Sequence, residues 1–275
     1  MKELAFGDAE ECGLNTEDGF EQIEEETNYG DALSDFVNQL EYGTSKKDIR
    51  LARLNVCSLR NKIEEVRCLQ LLCKFEILAI TETQLNKNIP DTEIDIPGMK
   101  FVRLDRRGRK GGGCLLYYAE LLQGTYRRYL FTRNIEAEWL QVKFPSSSLL
   151  FSVIYRPPDA SGEFFEQISA TLEKAWLKTS NKLLIGDFNC DFQGDSESSA
   201  NARKLRCIFE MYNMQNVIVE NTRETQTTSS LIDLIVTTRR DLISKCGVIP
   251  LGISDHLDGL CNNEAKEKKA ATQVY

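Results

Sequence analysis

Histidine is almost missing from this chain: its 275 residues hold one, His256. Thiol pairs are missing too. The nine cysteines are odd in number and include no Cys-x-x-Cys. Cys68 and Cys73 fall in a helix-like stretch, and Cys57, Cys114 and Cys190 in or beside apolar strands. A disulfide framework or a zinc cluster is therefore not expected, and reduced, buried thiols in a nuclear or cytoplasmic protein are. No apolar run is long enough to span a bilayer. Met1-Lys2-Glu3-Leu4 lacks the basic-then-apolar pattern of a secretory signal. Neither a membrane partner nor secretion is expected, and no internal repeat appears at solenoid-like periods.

Base is also missing, but only from one end. Residues 1–45 carry thirteen acids and a single base, Lys2, whereas the rest carries 33 bases and 29 acids, so the overall −8 hides a mildly basic body. Blocks such as Glu24-Glu25-Glu26 cannot bury enough apolar surface to order themselves. We read 1–48 as an acidic, largely disordered leader, 49–260 as one domain, and 261–275 as a polar tail. The basic body permits a polyanionic partner without demanding one.

The domain alternates buried strands with amphipathic helices. Ile49–Val56 reads as a strand, Ser58 as the cap of a helix over Leu59–Lys74, and Ile77–Ile80 as a second buried strand, followed by Thr81-Glu82-Thr83. This unit puts Asn55 and Glu82 at one carboxyl edge. Met99–Leu104, Cys114–Tyr118, Thr125–Phe131, Ala137–Phe144 and Leu149–Tyr155 follow as strands, the last stopped by Pro157-Pro158. Between the first two lie Arg106, Arg107, Arg109 and Lys110, then Gly111-Gly112-Gly113. The glycines precede a strand and lack a following Gly-Lys-Ser/Thr, so they read as a hairpin connection rather than a phosphate cradle. The bases read as a loop able to touch a nucleic-acid backbone.

Glu163–Leu177 and Ala202–Tyr212 have helical apolar spacing, and Val217–Val219 reads as a short strand. Leu183-Leu184-Ile185 is a strand buried on both faces, which Gly186 ends before Asp187 and Asn189. In an extended segment those two side chains leave on one side. Asp233 lies within the apolar run Leu231–Val236, and Gly247–Ile253 leads to Ser254-Asp255-His256. The pattern predicts an α/β (α+β) fold with two mixed β-sheets face to face and helices outside.

Asn55, Glu82, Tyr155, Asp187, Asn189, Asp233, Asp255 and His256 are each explicable alone as turn, cap or surface residues. Together they hold what phosphodiester hydrolysis needs. Carboxylates without clustered thiols suit a hard, oxygen-preferring cation, Mg2+ or Mn2+. Such a site polarises a phosphate oxygen, while a carboxylate orients water and an imidazole held by a buried aspartate supplies positive charge. No other small-molecule cofactor is expected.

The motifs Asn55-Val-Cys-Ser-Leu-Arg-Asn-Lys, Thr81-Glu82-Thr83-Gln-Leu, Tyr155-Arg-Pro-Pro, Gly186-Asp187-Phe-Asn189, Ser230-Leu-Ile-Asp233 and Ser254-Asp255-His256 occur in the order of the endonuclease/exonuclease/phosphatase (DNase I-like) superfamily. Their wording most resembles the endonuclease domain of LINE-type, non-LTR retrotransposons. That resemblance implies a four-layered α/β sandwich that nicks DNA and leaves a 3′-hydroxyl. It implies Glu82 as the main metal ligand, with Asn55 and Asp255 beside it. Asp187 would position or deprotonate the water, and Asn189 and Tyr155 would contact the scissile phosphate. His256 would face the phosphate with Asp233 holding its other nitrogen. Thr222 and Arg223 would touch DNA, as would Arg106, Arg107 and Lys110 from the basic loop. The polar sequence after His256 predicts a missing or irregular sheet edge. No reverse transcriptase follows in this chain, which looks like a truncated element or a gene derived from one. The alternatives are a phosphomonoesterase of the same superfamily, or a catalytically degenerate remnant that binds nucleic acid or protein.

Overall fold

The computed structural model describes residues 48–145, 147–177, 181–193, 199–225, 227–249 and 258–264. Nearly all of the expected leader, together with Asp255, His256 and the chain beyond 264, lies outside the described residues. The elements run β1 (Asp48–Asn55), α1 (Ile63–Cys73), β2 (Ile77–Thr81), β3 (Met99–Leu104), β4 (Cys114–Ala119), β5 (Gln123–Tyr126), β6 (Glu136–Lys143), β7 (Ser148–Tyr155), α2 (Glu163–Trp176), β8 (Lys182–Asp187), α3 (Ala200–Met211), β9 (Gln215–Asn216), β10 (Arg223–Glu224), β11 (Ser229–Ser230), β12 (Asp233–Thr237), β13 (Ile243–Ile249) and β14 (Asp258–Glu264).

Two six-stranded mixed sheets result, one in the order β13-β14-β1-β2-β4-β3 and the other β5-β6-β7-β8-β12-β9. The period of two sorts their side chains. In the first sheet Ile49, Leu51, Ile77, Ala79, Cys114 and Leu116 join the large core shared with the second. Their alternates Ala52, Leu54, Leu78, Ile80, Leu115 and Tyr117 pack under Ile63, Val66, Leu69 and Cys73 of α1. The second sheet carries α2 and α3 on its far face through Phe165, Ile168, Leu172, Leu205 and Phe209. The layers are therefore helix, sheet, sheet, helices, as the motifs implied. No helix among the described residues is long and apolar enough to cross a membrane.

Each sheet contains one strand–helix–strand crossover. β1 and β2 are parallel across α1, with Asn55 opposite Thr81. β7 and β8 are parallel across α2, with Tyr155 opposite Asp187. A crossover of this kind leaves its strand ends open as a binding crevice.

Several local expectations are corrected. Ser58 caps nothing with its side chain: φ is 135° there, and a 3-10 turn, Leu59–Asn61, precedes α1. The strand expected over Thr125–Phe131 stops at Tyr126 and continues as a 3-10 turn over Arg128–Leu130. The strand expected at Val217–Val219 instead pairs at Gln215–Asn216. Gly186 does not end β8, which runs to Asp187. A Cβ at Gly186 would meet the Ile154 carbonyl oxygen at 1.8 Å, so glycine is there to let β7 approach. Asp233 begins β12 instead of lying inside it.

The sheet edge expected to be missing or irregular is present, with a register shift between Ile243 and Lys245. β14 pairs antiparallel with β1 from Asp48↔Glu264 to Arg53↔Gly259 and with β13 on its other side, so the boundary expected at 260 falls within a strand. Flanked by two strands, Asp258–Glu264 has its backbone groups met on both sides, and this ladder needs no apolar pattern to form.

Glu138 on β6 is a buried acid outside the site. Burial pushes its carboxyl up to about 7, against the opposing pull of the Tyr126 hydroxyl and Arg128. A raised folded-state pKa means that the native state holds this proton more tightly than the unfolded chain. Stability is therefore lost as pH climbs from the ordinary glutamate value toward 7, and stays lost above. Glu138→Gln should be more stable than the parent at pH 8 by about 1 kcal/mol, or about 2–4 °C in Tm. The two should melt together near pH 4.5, the ordinary value for the group. Thermal unfolding at the two pH values checks this.

Candidate active site

Glu136, Tyr155, Asp187 and Asp233 form one row across the second sheet, being successive cross-strand partners on β6, β7, β8 and β12. Register partners project to the same face, so three acids and a phenol share one edge. The first sheet faces this row with Asn55 and, one residue past β2, Glu82.

The two halves meet at Asn55. Its buried Nδ2 donates to Glu82 Oε1 at 3.0 Å and to Asp187 Oδ2 at 3.2 Å. Its Oδ1 accepts from the Cys57 backbone N–H at 3.2 Å. One amide nitrogen thus sits between two carboxylates from different sheets, where positive charge is favoured. Asp187 is fully buried and Glu82 half-buried, so the pair has a deep member and an outer one.

The backbone is strained where it carries these groups. Seven described non-glycine residues have positive φ, and five of them follow β1, β2 or β8: Cys57, Ser58, Glu82 at 53°, Gln84 and Asn189 at 45°. Left-handed backbone is unfavourable for L side chains and gathers at functional sites. The turn at Asn189 also corrects the extended geometry expected there. Its N–H donates to Asp187 Oδ1 at 2.9 Å and its Nδ2 to the Arg156 carbonyl at 2.8 Å. The amide so engaged shapes the turn, whereas the motif implied a phosphate contact.

Tyr155 lies under the Arg106 guanidinium, whose carbon is 5.2 Å from the ring centre. Arg106 Nε meets Glu136 Oε1 at 2.5 Å, and Glu136 Oε2 accepts from the Gly113 N–H at 2.7 Å. Two of the three glycines are explained here. A Cβ on Gly112 would lie 2.1 Å from the Arg106 guanidinium carbon, and one on Gly113 2.5 Å from Thr83 Oγ1. Gly112 and Gly113 carbonyls accept from Gln84 and Thr83, which holds the Glu82 turn down. The run read as a flexible connection is thus a tight packing surface. Burial, and after it the Glu82 and Asp187 charges, push the Tyr155 phenol upward, with Arg106 opposing. The hydroxyl therefore stays protonated at neutral pH and able to donate.

Arg106, expected to touch DNA, is engaged by Glu136 and Tyr155. Arg107 and Lys110 are exposed. Arg109 ties their loop to Asp159 beyond Tyr155, with Nη1–Oδ2 at 2.7 Å, which sets the loop beside the site. Thr222 is corrected: it is fully buried, and its hydroxyl accepts from the Ile232 and Asp233 N–H groups at 3.1 and 2.9 Å. Its side chain has no exposed atom for DNA. Arg223 is half-buried in the β10–β11 hairpin opposite Ser230. Asp255 and His256 lie outside the described residues.

Two buried arginines beside the site were missed by the sequence reading. Arg156 is buried between the Phe164 and Phe165 rings and donates to the Asn189 and Ala160 carbonyls at 3.3 and 3.1 Å. Arg53 is buried against Asp233, Nη2–Oδ1 2.5 Å. Strand parity could have found Arg53, which shares a β1 face with Asn55.

Among the described residues no group of three or more His, Cys, Asp and Glu forms a metal cluster. Glu82 and Asp187 nevertheless bring hard oxygen donors to one point, around the Asn55 amide nitrogen, and two carboxylates converging there fit a divalent cation.

The fold is similar to that of endonuclease/exonuclease/phosphatase proteins of known structure. Residues 149–258 match the family model described as endonuclease-reverse transcriptase. The endonuclease domain of TRAS1, a telomere-specific non-LTR retrotransposon, superposes with a TM-score of 0.64 at 17% identity, over 79% of this chain and 98% of that one. An AP endonuclease from Leishmania major gives 0.68 at 14% identity, over 80% of this chain and 89% of that one. A 3′ phosphatase from Neisseria, bound to product DNA hairpin, gives 0.62 at 12%, over 79% of this chain and all, 100%, of that one. No curated protein sequence matches. At these identities the structural likenesses speak for the fold.

Thr222→Val keeps the side-chain shape and removes the acceptor for two buried N–H groups. It should lower stability by about 1–3 kcal/mol while leaving the affinity for duplex DNA unchanged. Denaturant unfolding and fluorescence anisotropy check the two halves; weakened DNA binding at parental stability would return Thr222 to the DNA surface.

Proposed function

We propose that this chain is a metal-dependent endodeoxyribonuclease that hydrolyses one strand of DNA and leaves a 3′-hydroxyl. The observation that carries this reading is the Asn55 amide lying between Glu82 and Asp187, one acid from each sheet, with Tyr155 beside them. A bound Mg2+ or Mn2+ would supply Lewis-acid stabilisation of the phosphate and the leaving oxygen. Glu82 and Asn55, and Asp255 by motif, would hold it.

Asp187 accepts a proton from the attacking water and fixes it in line. Asn55 keeps that carboxylate turned toward the first sheet. Tyr155, protonated and packed under Arg106, donates to a phosphate oxygen. His256 is assigned by motif to the phosphate, with Asp233 as its partner. Arg107 and Lys110 meet the DNA backbone beside the strand ends, and such contacts weaken with salt. A retrotransposon origin is supported by the motif wording, the matched family model and the TRAS1 likeness.

The reading is tested by incubating the purified full chain with supercoiled plasmid and Mg2+. Nicked circles should accumulate and should vanish with EDTA. Glu82→Gln and Asp187→Asn should each slow nicking at least about 100-fold while the protein stays folded. Release of phosphate from a 3′-phosphorylated oligonucleotide without plasmid nicking would replace the endonuclease with a phosphomonoesterase. Silence of parent and variants alike, on both substrates, would leave a binding remnant.

A further inference from the structure

We propose that Arg53 is a positioning residue that sets how the two halves of the site face each other. Arg53 lies on β1 two residues before Asn55, on the face turned toward the second sheet. Its side chain is 1% exposed. Nη2 lies 2.5 Å from Asp233 Oδ1 and donates to Thr81 Oγ1 at 3.1 Å. Nε and Nη1 are sealed from solvent and have no hydrogen-bond partner among the described residues.

This is an expensive arrangement. A buried ion pair gains little over apolar side chains of similar volume, and unmet guanidinium donors add to the loss. The position is flanked on its own face by Leu51 and Asn55, in a core where an apolar residue would pack. Its retention is explained by what it joins. β1 reaches the second sheet through two neighbouring polar contacts, Asn55 to Asp187 and Arg53 to Asp233. Their acceptors are direct cross-strand partners on β8 and β12. Like charges in that relation repel. Arg53 draws Asp233 to the first sheet at one point while Asn55 draws Asp187 at the next. Two parallel struts fix both the gap between sheets and the relative slide of β1 against β8, which a single strut would leave free. The Nη2 bond to Thr81 extends the strut to β2, whose next residue is Glu82. Arg53 touches no substrate; it sets where Glu82 and Asn55 stand relative to Asp187.

The rate part of the test rests on the nuclease reading, and a second measurement does not. In the full chain, Arg53→Met should lower kcat for nicking a duplex oligonucleotide about 100-fold, as expected for misplaced reacting groups, with KM within about threefold of the parent. Arg53→Lys keeps the charge without the planar fork, so kcat should recover to about tenfold below the parent. Hydrogen exchange read by mass spectrometry, without metal or DNA, should quicken in Arg53→Met at the ends of β1, β8 and β12. The double variant Arg53→Met, Asp233→Leu, which swaps the pair for apolar groups, should regain that protection. A folded Arg53→Met with parental kcat, or with parental exchange at those strand ends, overturns the proposal. Should Arg53→Met fail to fold, Arg53→Lys decides: lowered kcat at parental KM supports the strut, and parental kcat overturns it. A parent that does not nick refutes the nuclease reading alone, and the exchange of the variants still decides the role of Arg53.

Discussion

A single amide nitrogen holds the two halves of this molecule's chemistry together. Asn55 donates to Glu82 at the end of the first sheet and to Asp187 at the end of the second. Neither sheet alone supplies both of these carboxylates. The first offers a carboxylate on a strained turn, and the second a buried row of acids and a phenol. Only face-to-face packing of the sheets brings them within reach of one donor. The core thus does more than stabilise the fold, because its thickness sets the separation of Glu82 and Asp187.

The electrostatics follow the same plan. Glu136, Asp187 and Asp233 stand in one row, where mutual repulsion is costly unless opposed. Each has its own partner from outside the row: Arg106 for Glu136, Asn55 for Asp187, and Arg53 for Asp233. The arginines thus sit over its two ends and an uncharged amide over its centre. Asp187 keeps a neutral donor where a fixed positive charge would compete with a cation. Arg106 serves a second purpose by stacking on Tyr155, and the bare Cα of Gly112 lets it fit.

Much of this was legible in the sequence. Unbroken apolar runs located β2 and β8, because a strand buried on both faces has no polar alternation. Polar residues just past those runs located Glu82 and Asp187. Ordered motifs supplied the resemblance that implied four layers. What escaped was geometry that local pattern does not encode. Asn189 was read as extended, yet its turn is left-handed and its amide holds a carbonyl. Thr222 looked like a surface polar residue, yet two buried N–H groups need its oxygen. The polar segment Cys261–Glu264 looked like tail, yet it belongs to Asp258–Glu264, an inner strand paired on both sides. Arg53 is visible by parity with Asn55, on the face of β1 turned toward the second sheet.

The central claim is that Glu82 and Asp187, from opposite sheets, serve one site, Glu82 by holding a divalent cation and Asp187 by holding the attacking water. Anomalous diffraction from crystals soaked in Mn2+ tests it most directly. The account predicts one dominant anomalous peak at the strand-end edge, in contact with the Glu82 carboxylate, and its loss in Glu82→Gln. A peak confined to another surface, or one that persists undiminished in Glu82→Gln, would contradict it.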